Sequence, residues 1–265
     1  MRKMTWRRVL GRVSFINCDP VFHGLKNDWK ILAAPPSWLT GHLLRRDCIT
    51  APIPASDYAE NQAELSLLSE IGIVGREEVG SVLLFGNRPI ESMRDIAVPT
   101  DSSTSKMLLS WILRKHGLDP KLIEMGPDID SMLKECDGAL IIGDRAILAS
   151  SSHKSSVLLD LSEEWKKITG LPMVFGVFAA RRDSDESLVS EARQAMVTRY
   201  SCFLNDPEIR ESVISDSSKR VRISEERIAS YYDNEVSNIL DNDAVKGLMY
   251  FLEHVCDCNE EPNWI

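Results

Sequence analysis

The chain has 265 residues, 43% of them hydrophobic and 27% charged, which provides for a sizeable core and excludes a disordered composition. Its 40 acidic and 31 basic side chains give a net charge of −9. That charge repels the phosphates of nucleic acids and of anionic lipid surfaces, so neither is expected as a partner.

The N-terminal segment, residues 1–12, carries five arginine and lysine residues. No apolar run of roughly 7–15 residues follows it, as a signal peptide would require. No stretch of the chain approaches the ~20 apolar residues of a membrane span either. The six cysteines are scattered without a Cys-x-x-Cys pair, which fits thiols in a reducing compartment. We therefore expect a cytoplasmic protein without a membrane partner.

Short apolar runs alternate with longer amphipathic stretches through the first two thirds of the chain. The predicted strands are 12–15, 49–53, 81–85, 96–98, 139–142 and 173–179. The predicted helices are 36–45, 56–60, 104–116, 129–134 and 162–169. This alternation predicts an α/β fold in which parallel strands are joined by crossover helices.

Turn-forming residues interrupt this pattern at 86–89 and again at 169–172. If both turns are crossovers, residues 1–89 and 179–265 form a discontinuous first lobe, and residues 90–178 form a second lobe inserted into it. A two-lobed α/β protein usually binds its ligand in the cleft between the lobes. We expect such a cleft here.

From residue 181 onward the pattern changes to long amphipathic helices. Apolar side chains recur at helical spacing over 187–205 and 243–255. Another helix begins after Ser224, a residue type that commonly caps helix N-termini. The sequence therefore predicts a helical C-terminal tail that packs on the first lobe.

Hydroxyl side chains cluster between the strand predicted at 96–98 and the helix that follows it. Free backbone N–H groups and the positive end of the helix dipole meet at such a junction, so it can hold a carboxylate or a phosphate. The same residue types are also the preferred caps of ordinary helices, and both roles remain open. The candidate substrate-binding residues of this segment are Ser102, Ser103, Thr104 and Ser105.

Polar residues also stand near the ends of two strands in the first half of the chain. Ser14 and Asn17 follow the start of the first strand, where an asparagine either contacts a ligand through its amide or shapes a turn. Ser81 begins the strand that leads to the first crossover, where it either lines the cleft or serves as a local cap. These three residues are candidates for the cleft.

A third strand end, after 139–142, carries Gly143, Asp144 and Arg145. The glycine allows the backbone to approach a ligand closely. Asp144 is a candidate acid or base, with helix capping as the alternative. Arg145 can bind a substrate carboxylate through two hydrogen bonds, or it can pair with Asp144.

Motifs for metals and nucleotides are missing from the sequence. The five histidines fall in no metal-ligand spacing, and the chain has no Gly-x-Gly-x-x-Gly, phosphate-loop or Gly-x-Ser-x-Gly motif. We therefore expect neither a metal nor another cofactor, and no serine-hydrolase chemistry.

Six short segments are informative through their order. They read Ser-Phe-Ile-Asn at 14–17, Pro-Ser-Trp-Leu at 36–39, Gly-Ser-Val-Leu-Leu-Phe at 80–85, Ser-Ser-Thr-Ser at 102–105, Leu-Ile-Ile-Gly-Asp at 140–144 and Asp-Leu-Ser-Glu-Glu-Trp at 160–165. This order and spacing resemble the chorismate dehydratase family of the futalosine route to menaquinone. The resemblance spans roughly residues 12–181.

The resemblance implies a two-lobed fold of the type II periplasmic-binding-protein kind. It also implies a lyase that dehydrates chorismate, a small dicarboxylate, to 3-[(1-carboxyvinyl)oxy]benzoate without a cofactor. By motif position, Asn17 and Ser81 are the implied catalytic residues, and they would orient a substrate carboxylate that itself takes the proton. Two alternatives remain. One is a non-catalytic module that binds a small carboxylate. The other is the sibling enzyme 1,4-dihydroxy-6-naphthoate synthase, for which the resemblance implies a catalytic histidine in the second lobe.

Overall fold

A computed structural model describes residues 5–153 and 156–265 of the chain. Its strands form two separate sheets. In spatial order, the first sheet contains β11 (Ser237–Leu240), β4 (Leu65–Gly75), β10 (Met173–Arg181), β3 (Thr50–Pro54), β1 (Val9–Val13) and β2 (Lys30–Ala34). The second sheet contains β7 (Lys121–Met125), β6 (Asp95–Pro99), β8 (Gly138–Ile142), β5 (Val82–Gly86) and β9 (Val157–Asp160). Each sheet is the centre of one lobe.

Helices join and cover the strands. They are α1 (Asp19–Phe22), α2 (Pro36–Leu44), α3 (Ala55–Glu60), α4 (Ser103–Lys115), α5 (Ile129–Glu135), α6 (Asp144–Ser152), α7 (Leu161–Thr169), α8 (Glu186–Asn205), α9 (Pro207–Val221), α10 (Glu225–Ser230) and α11 (Asn242–His254). A turn of π-helix, Tyr231–Glu235, follows α10 directly. The helices predicted before residue 170 and those predicted at 187–205 and 243–255 are confirmed to within one residue at either end.

Both sheets are mixed, which corrects the prediction of parallel strands alone. β1 pairs in parallel with β2 and with β3, but β10 runs antiparallel to both β3 and β4. In the second sheet, β5 runs antiparallel to β8 and β9. The physical reason is that β5 and β10 each enter their sheet directly from the other lobe. A parallel neighbour would require a crossover of a dozen residues or so within one lobe.

The sheets also divide the chain at points different from the predicted turns. The strand predicted at 81–85 belongs to the second sheet rather than to the first lobe, and β10 belongs to the first sheet throughout its length. The chain passes between the sheets at 76–81 and at 170–172. The turn at 86–89 misled the prediction because it is an ordinary connection from β5 to β6 inside the second lobe.

The second passage between the lobes is anchored by a buried aromatic cluster. Trp165 of α7 is fully buried, with its ring centroid 5.2 Å from that of Trp111 and 6.0 Å from that of Phe251. Its indole Nε1–H donates to the carbonyl of Pro172 at 3.1 Å. Because α4, α7 and α11 meet at this ring, the passage at 170–172 is attached to helices of both lobes.

The C-terminal tail contains a strand as well as helices. β11 adds an antiparallel edge strand beside β4, and Asn238 donates from Nδ2 to the carbonyl of Gly72 at 2.9 Å. Ser224 caps α10 as predicted, because its hydroxyl accepts from the Arg227 backbone N–H at 3.3 Å. No helix among the described residues is both long enough and apolar enough to cross a membrane.

Candidate functional site

A cleft lies between the two sheets. Both lobes and the tail contribute to it, because several strands of the two sheets end at this point. Its walls are formed by Val13, Phe15 and Asn17 at and just after the end of β1, the end of β3, the passage before β5, the beginning of α4, the end of β8, and the tail at Tyr231 and Val236.

The structure brings six of the predicted site residues together in this cleft. They are Asn17, Ser81, Ser102, Thr104, Ser105 and Gly143. Four other predicted residues do not line it, namely Ser14, Ser103, Asp144 and Arg145. Asn17 comes from the first lobe, while Ser102, Thr104 and Ser105 face it from the second, so a bound molecule would contact both lobes.

Asn17 lies in a single 3₁₀ turn, Ile16–Cys18, immediately after β1. Pro20, near the beginning of α1, has no backbone N–H for sheet pairing, so the chain does not continue as a strand beyond this turn. The Oδ1 atom of Asn17 is buried, and no hydrogen-bond partner for it exists among the described residues. A buried polar atom without a partner costs stability, and a ligand that donates to it would remove that cost.

Ser81 is buried at the passage into β5, and its Oγ lies 3.1 Å from the hydroxyl oxygen of Tyr231. Burial raises the pKa of Tyr231 well above its usual value, so this phenol stays protonated and can donate a hydrogen bond. Sequence reasoning missed Tyr231 because it treated the tail as scaffold. The signal that could have located it is structural, since a turn of π-helix often marks a functional site.

The beginning of α4 presents hydroxyls that are not used for ordinary capping. Ser102 occupies the N-cap position, but its side chain makes no capping hydrogen bond. The hydroxyl and the positive end of a 13-residue helix therefore both face the cleft. The sequence left two roles open for Ser102, ligand binding and helix capping. Its side chain does not cap the helix, so it is free for ligand binding.

Thr104 forms a contact between the lobes. Its Oγ1 accepts from the backbone N–H of Ser56 at 3.2 Å and lies 3.3 Å from the Ser56 hydroxyl. Ser56 belongs to α3, which follows β3 of the first sheet. Thr104 therefore lines the cleft and also joins α4 to the first lobe.

Ser14 and Ser103 lie outside the cleft wall, contrary to the prediction. The Ser14 backbone N–H donates to the carbonyl of Ala34 at 3.0 Å, which prolongs the pairing of β1 with β2. The Ser14 carbonyl accepts from Arg220 of α9 at 2.7 Å. Ser103 is the first residue of α4, and the helix turns its side chain away from the residues on either side of it that line the cleft.

Asp144 and Arg145 do not face the ligand space either. The Asp144 Oδ1 accepts from the backbone N–H of Ile16 at 2.9 Å. Burial raises the pKa of Asp144 from 3.8 to about 6. Arg145 donates from Nη2 to Asp101 Oδ2 at 2.6 Å, and its Cζ lies 5.3 Å from the centroid of the Phe15 ring. Arg145 therefore pairs with Asp101 instead of a substrate carboxylate or Asp144.

Gly143 has a structural reason for being a glycine. Its φ is +64°, and a Cβ at this position would lie 2.6 Å from a ring carbon of Phe15. The ring of Phe15, a cleft residue that the sequence did not reveal, thus packs directly on the Gly143 backbone. The remaining wall is largely apolar and includes Pro36, Ile53 and Phe175.

None of the histidines in the described ranges, residues 5–153 and 156–265, lines the cleft. His116 lies 2.8 Å from a carboxylate oxygen of Glu164, and His153 lies 3.1 Å from one of Asp130; both are on the surface of the second lobe. The cleft therefore has no imidazole for proton transfer.

Comparison with known proteins assigns the chain to a family. The model of a family described as menaquinone biosynthesis matches residues 9–256. The chain belongs to this family. The match includes most of the C-terminal tail, so the predicted limit near residue 181 was too narrow.

A curated relative, the chorismate dehydratase of Thermus thermophilus, is 30% identical over 205 residues, which cover 71% of this chain and 75% of the relative. Among solved structures, a protein of Archaeoglobus fulgidus superposes with a TM-score of 0.76 at 20% identity, covering 92% of this chain and 96% of that one. The periplasmic aliphatic sulphonate binding protein of Escherichia coli superposes with a TM-score of 0.66 at 16% identity, covering 94% and 90% of the two chains. The two-lobed periplasmic-binding-protein fold is confirmed, and the family relationship indicates an enzyme with a small-molecule substrate.

Proposed function

We propose that this protein is a hydro-lyase that converts chorismate to 3-[(1-carboxyvinyl)oxy]benzoate and water. The hydrogen at ring carbon C3 leaves as a proton, the hydroxyl at C4 leaves with its bonding electrons, and a C3–C4 double bond makes the ring aromatic. Neither an oxidant nor a reductant is consumed. The observation that carries the proposal is the cleft of this menaquinone-family chain, in which Asn17 and Ser81 face the hydroxyls at the beginning of α4.

The electrostatics of the cleft support a dicarboxylate as substrate. Removal of the C3 proton sends negative charge through the ring diene to the ring carboxylate. Hydrogen-bond donors that are already in place where this charge develops lower the barrier. Ser102 and Ser105, together with the N-terminal end of α4, provide such donors in the second lobe.

Asn17 and Ser81 are proposed to hold the second carboxylate, that of the enolpyruvyl group. The amide of Asn17 can donate through Nδ2, and its unpartnered Oδ1 can accept from a protonated carboxyl. The Ser81 hydroxyl can donate to the substrate while its oxygen accepts from the neutral Tyr231 phenol. Tyr231 is thus a positioning residue for Ser81.

The enolpyruvyl carboxylate is proposed to take the C3 proton itself. Burial raises the pKa of two carboxyl groups, Asp144 and Asp160, to about 6, but neither lines the cleft, and Asp144 accepts from the Ile16 backbone instead. No cleft histidine is available among the described residues. An intramolecular base held in the right geometry can be very effective, because orientation alone supplies much of the rate.

The test is incubation of the purified protein with chorismate, without added cofactor, followed by mass spectrometry. A product lighter by one water with the ultraviolet spectrum of a substituted benzoate supports the proposal. Chorismate that binds, as measured by calorimetry, but is recovered unchanged would contradict it and favour the non-catalytic binding module. A variant with all five histidines replaced separates the sibling naphthoate synthase from the dehydratase, because only the sibling design depends on a histidine.

A further inference from the structure

Ile16, the residue before Asn17, is held through its backbone N–H and its carbonyl by groups that do not line the cleft. The Ile16 backbone N–H donates to Asp144 Oδ1 at 2.9 Å. The Ile16 carbonyl accepts from the Tyr232 hydroxyl at 3.0 Å. Ile16 is fully buried, so its backbone groups have few other partners. These two hydrogen bonds hold the 3₁₀ turn that carries Asn17, together with the Asp19 backbone N–H, which donates to the same Ile16 carbonyl.

The two hydrogen bonds link Ile16 to different lobes. Tyr232 comes from the tail, which packs on the first lobe, and its hydroxyl lies 2.8 Å from the Ser217 hydroxyl of α9. Asp144 is the first residue of α6 and belongs to the second lobe. The hydrogen bond from Ile16 to Asp144 thus spans the two lobes.

We propose that Asp144 is a positioning residue that couples closure of the lobes to the orientation of Asn17. This inference rests on the proposed function of the cleft. When the second lobe closes, the Asp144 carboxylate accepts from the Ile16 N–H and fixes the turn. The Asn17 amide is then set against the substrate carboxylate, and catalysis is confined to the closed state.

The groups around Asp144 support the hydrogen bond from the Ile16 N–H as its main interaction. Its nearest charged neighbours are Arg12, Arg220 and Asp19, and both arginines form ion pairs with Asp19. The fully buried Tyr231 also lies near enough to interact with the Asp144 charge. No ion pair joins Asp144 to either arginine among the described residues. A carboxylate buried with a single amide hydrogen bond and no ion pair is costly, which favours a functional role over a stabilising one.

The experiment compares three variants with the wild type. Asp144→Ala removes the acceptor, and Asp144→Asn keeps an acceptor oxygen without the charge. Asp128→Ala is the matched control, because Asp128 caps α5 in the same lobe, accepts from the Ser131 N–H at 3.0 Å, and does not line the cleft. Each protein is assayed for kcat and KM with chorismate, for Tm, and for hydrogen exchange in peptides that cover residues 14–19.

We expect Asp144→Ala to lower kcat by about 10- to 100-fold, the loss that a small misplacement of a reacting group produces. Its Tm stays near the wild-type value, and exchange over residues 14–19 becomes faster. Asp144→Asn restores most of the kcat, and the wild-type kcat falls toward that of Asp144→Asn below about pH 6, where the carboxyl is protonated. Asp128→Ala changes neither kcat nor exchange in this segment.

Two results would overturn the inference. One is an Asp144→Ala variant with wild-type kcat. The other is a variant whose kcat falls while exchange over residues 14–19 remains that of the wild type. Hydrogen exchange does not depend on turnover. If the wild type fails to convert chorismate, the proposed function fails, but faster exchange in Asp144→Ala still shows that Asp144 holds the Ile16 peptide.

Discussion

Replacement of Asn17 by alanine separates catalysis from stability. The Oδ1 atom of Asn17 is buried without a partner, so its removal takes away an unsatisfied group that costs about 1–3 kcal/mol. Alanine retains the Cβ, so little apolar packing is lost. We therefore expect the free energy of unfolding to stay level or to increase by about 1–2 kcal/mol, equivalent to a rise in Tm of a few degrees.

The same substitution is expected to lower kcat strongly, although it does not lower stability. If Asn17 holds the reacting carboxylate, its loss removes one preorganised polar group, and such losses lower kcat by about 10²- to 10³-fold. The assay is the initial rate of chorismate dehydration, followed by chromatography with mass detection, together with thermal unfolding of the same preparation. Binding of chorismate, measured by calorimetry, weakens less than kcat because the donors at α4 remain.

A matched control is Asn87→Ala. Asn87 is exposed, lies outside the cleft, and donates from Nδ2 to the Leu133 carbonyl at 2.8 Å. Its removal should lower the free energy of unfolding by about 1 kcal/mol and leave kcat unchanged. The reasoning is refuted if Asn17→Ala loses several degrees of Tm while its kcat remains that of the wild type, since that pattern would make Asn17 a turn-forming residue.

Three further predictions concern the cleft and its surroundings. Ser81→Ala and Tyr231→Phe should each reduce kcat, and the double variant should lose less than the sum of the two in free energy, because the hydroxyls act as one pair; additive losses in a double-mutant cycle would disprove the coupling. Gly143→Ala should lower the free energy of unfolding by about 1–3 kcal/mol as well as kcat, measured by denaturant unfolding, since its Cβ meets the Phe15 ring at positive φ. The stability of the wild type relative to Asp144→Asn should increase as the pH falls from about 7 to 4, and a flat difference would show that the carboxyl is not buried in the native state.

The sequence predicted most of the helices, though not α1, α6 or α9, and several central strands, because the patterns of these elements are strong. β3, β5 and β8 are buried at every position and read as continuous apolar runs, and the amphipathic stripe of α8 is equally clear. The edge strands β2 and β7 were missed because they are half exposed and show no consistent alternation. β4 was missed for another reason: a residue with positive φ, Glu70, interrupts the strand where the pairing with its neighbours shifts register.

The candidate site was only partly accessible from sequence. Asn17, Ser81 and the hydroxyls of α4 lie near strand ends within recognisable segments, so their local context pointed to the cleft. Tyr231 lies 150 residues after Ser81, and nothing local to it indicates that its hydroxyl reaches that serine. Arg145 shows the converse problem. An arginine is well suited to bind a substrate carboxylate, but only the fold reveals that Arg145 already pairs with Asp101.

Two aspartates stand at the beginnings of helices α6 and α7, and each holds the backbone just before a cleft residue. Asp160 accepts four backbone N–H groups, from Val79 and Gly80 at 3.0 and 2.7 Å and from Ser162 and Glu163 at 2.9 and 3.2 Å. Two of these donors belong to the passage at 76–81 and two to the beginning of α7, so Asp160 joins the passage that leads to Ser81 to α7. The turn that carries Asn17 is joined to the other lobe by the hydrogen bond from Ile16 to Asp144.

Burial raises the pKa of Asp144, as it does that of Asp160, and this makes the stability of the protein depend on pH. The pKa of Asp144 rises from 3.8 to about 6 in the folded protein, so the native state binds more protons than the unfolded state between these values. Stability attributable to this group is therefore greatest at low pH and decreases as the pH rises through about 6, by about 3 kcal/mol in total. Asp144→Asn lacks this dependence. Since burial of the Asp144 carboxylate comes from the closed arrangement of the lobes, the free energy that disfavours the ionised group also opposes closure at neutral pH. A substrate whose two carboxylates contact both lobes would supply compensating free energy and further stabilise the closed state.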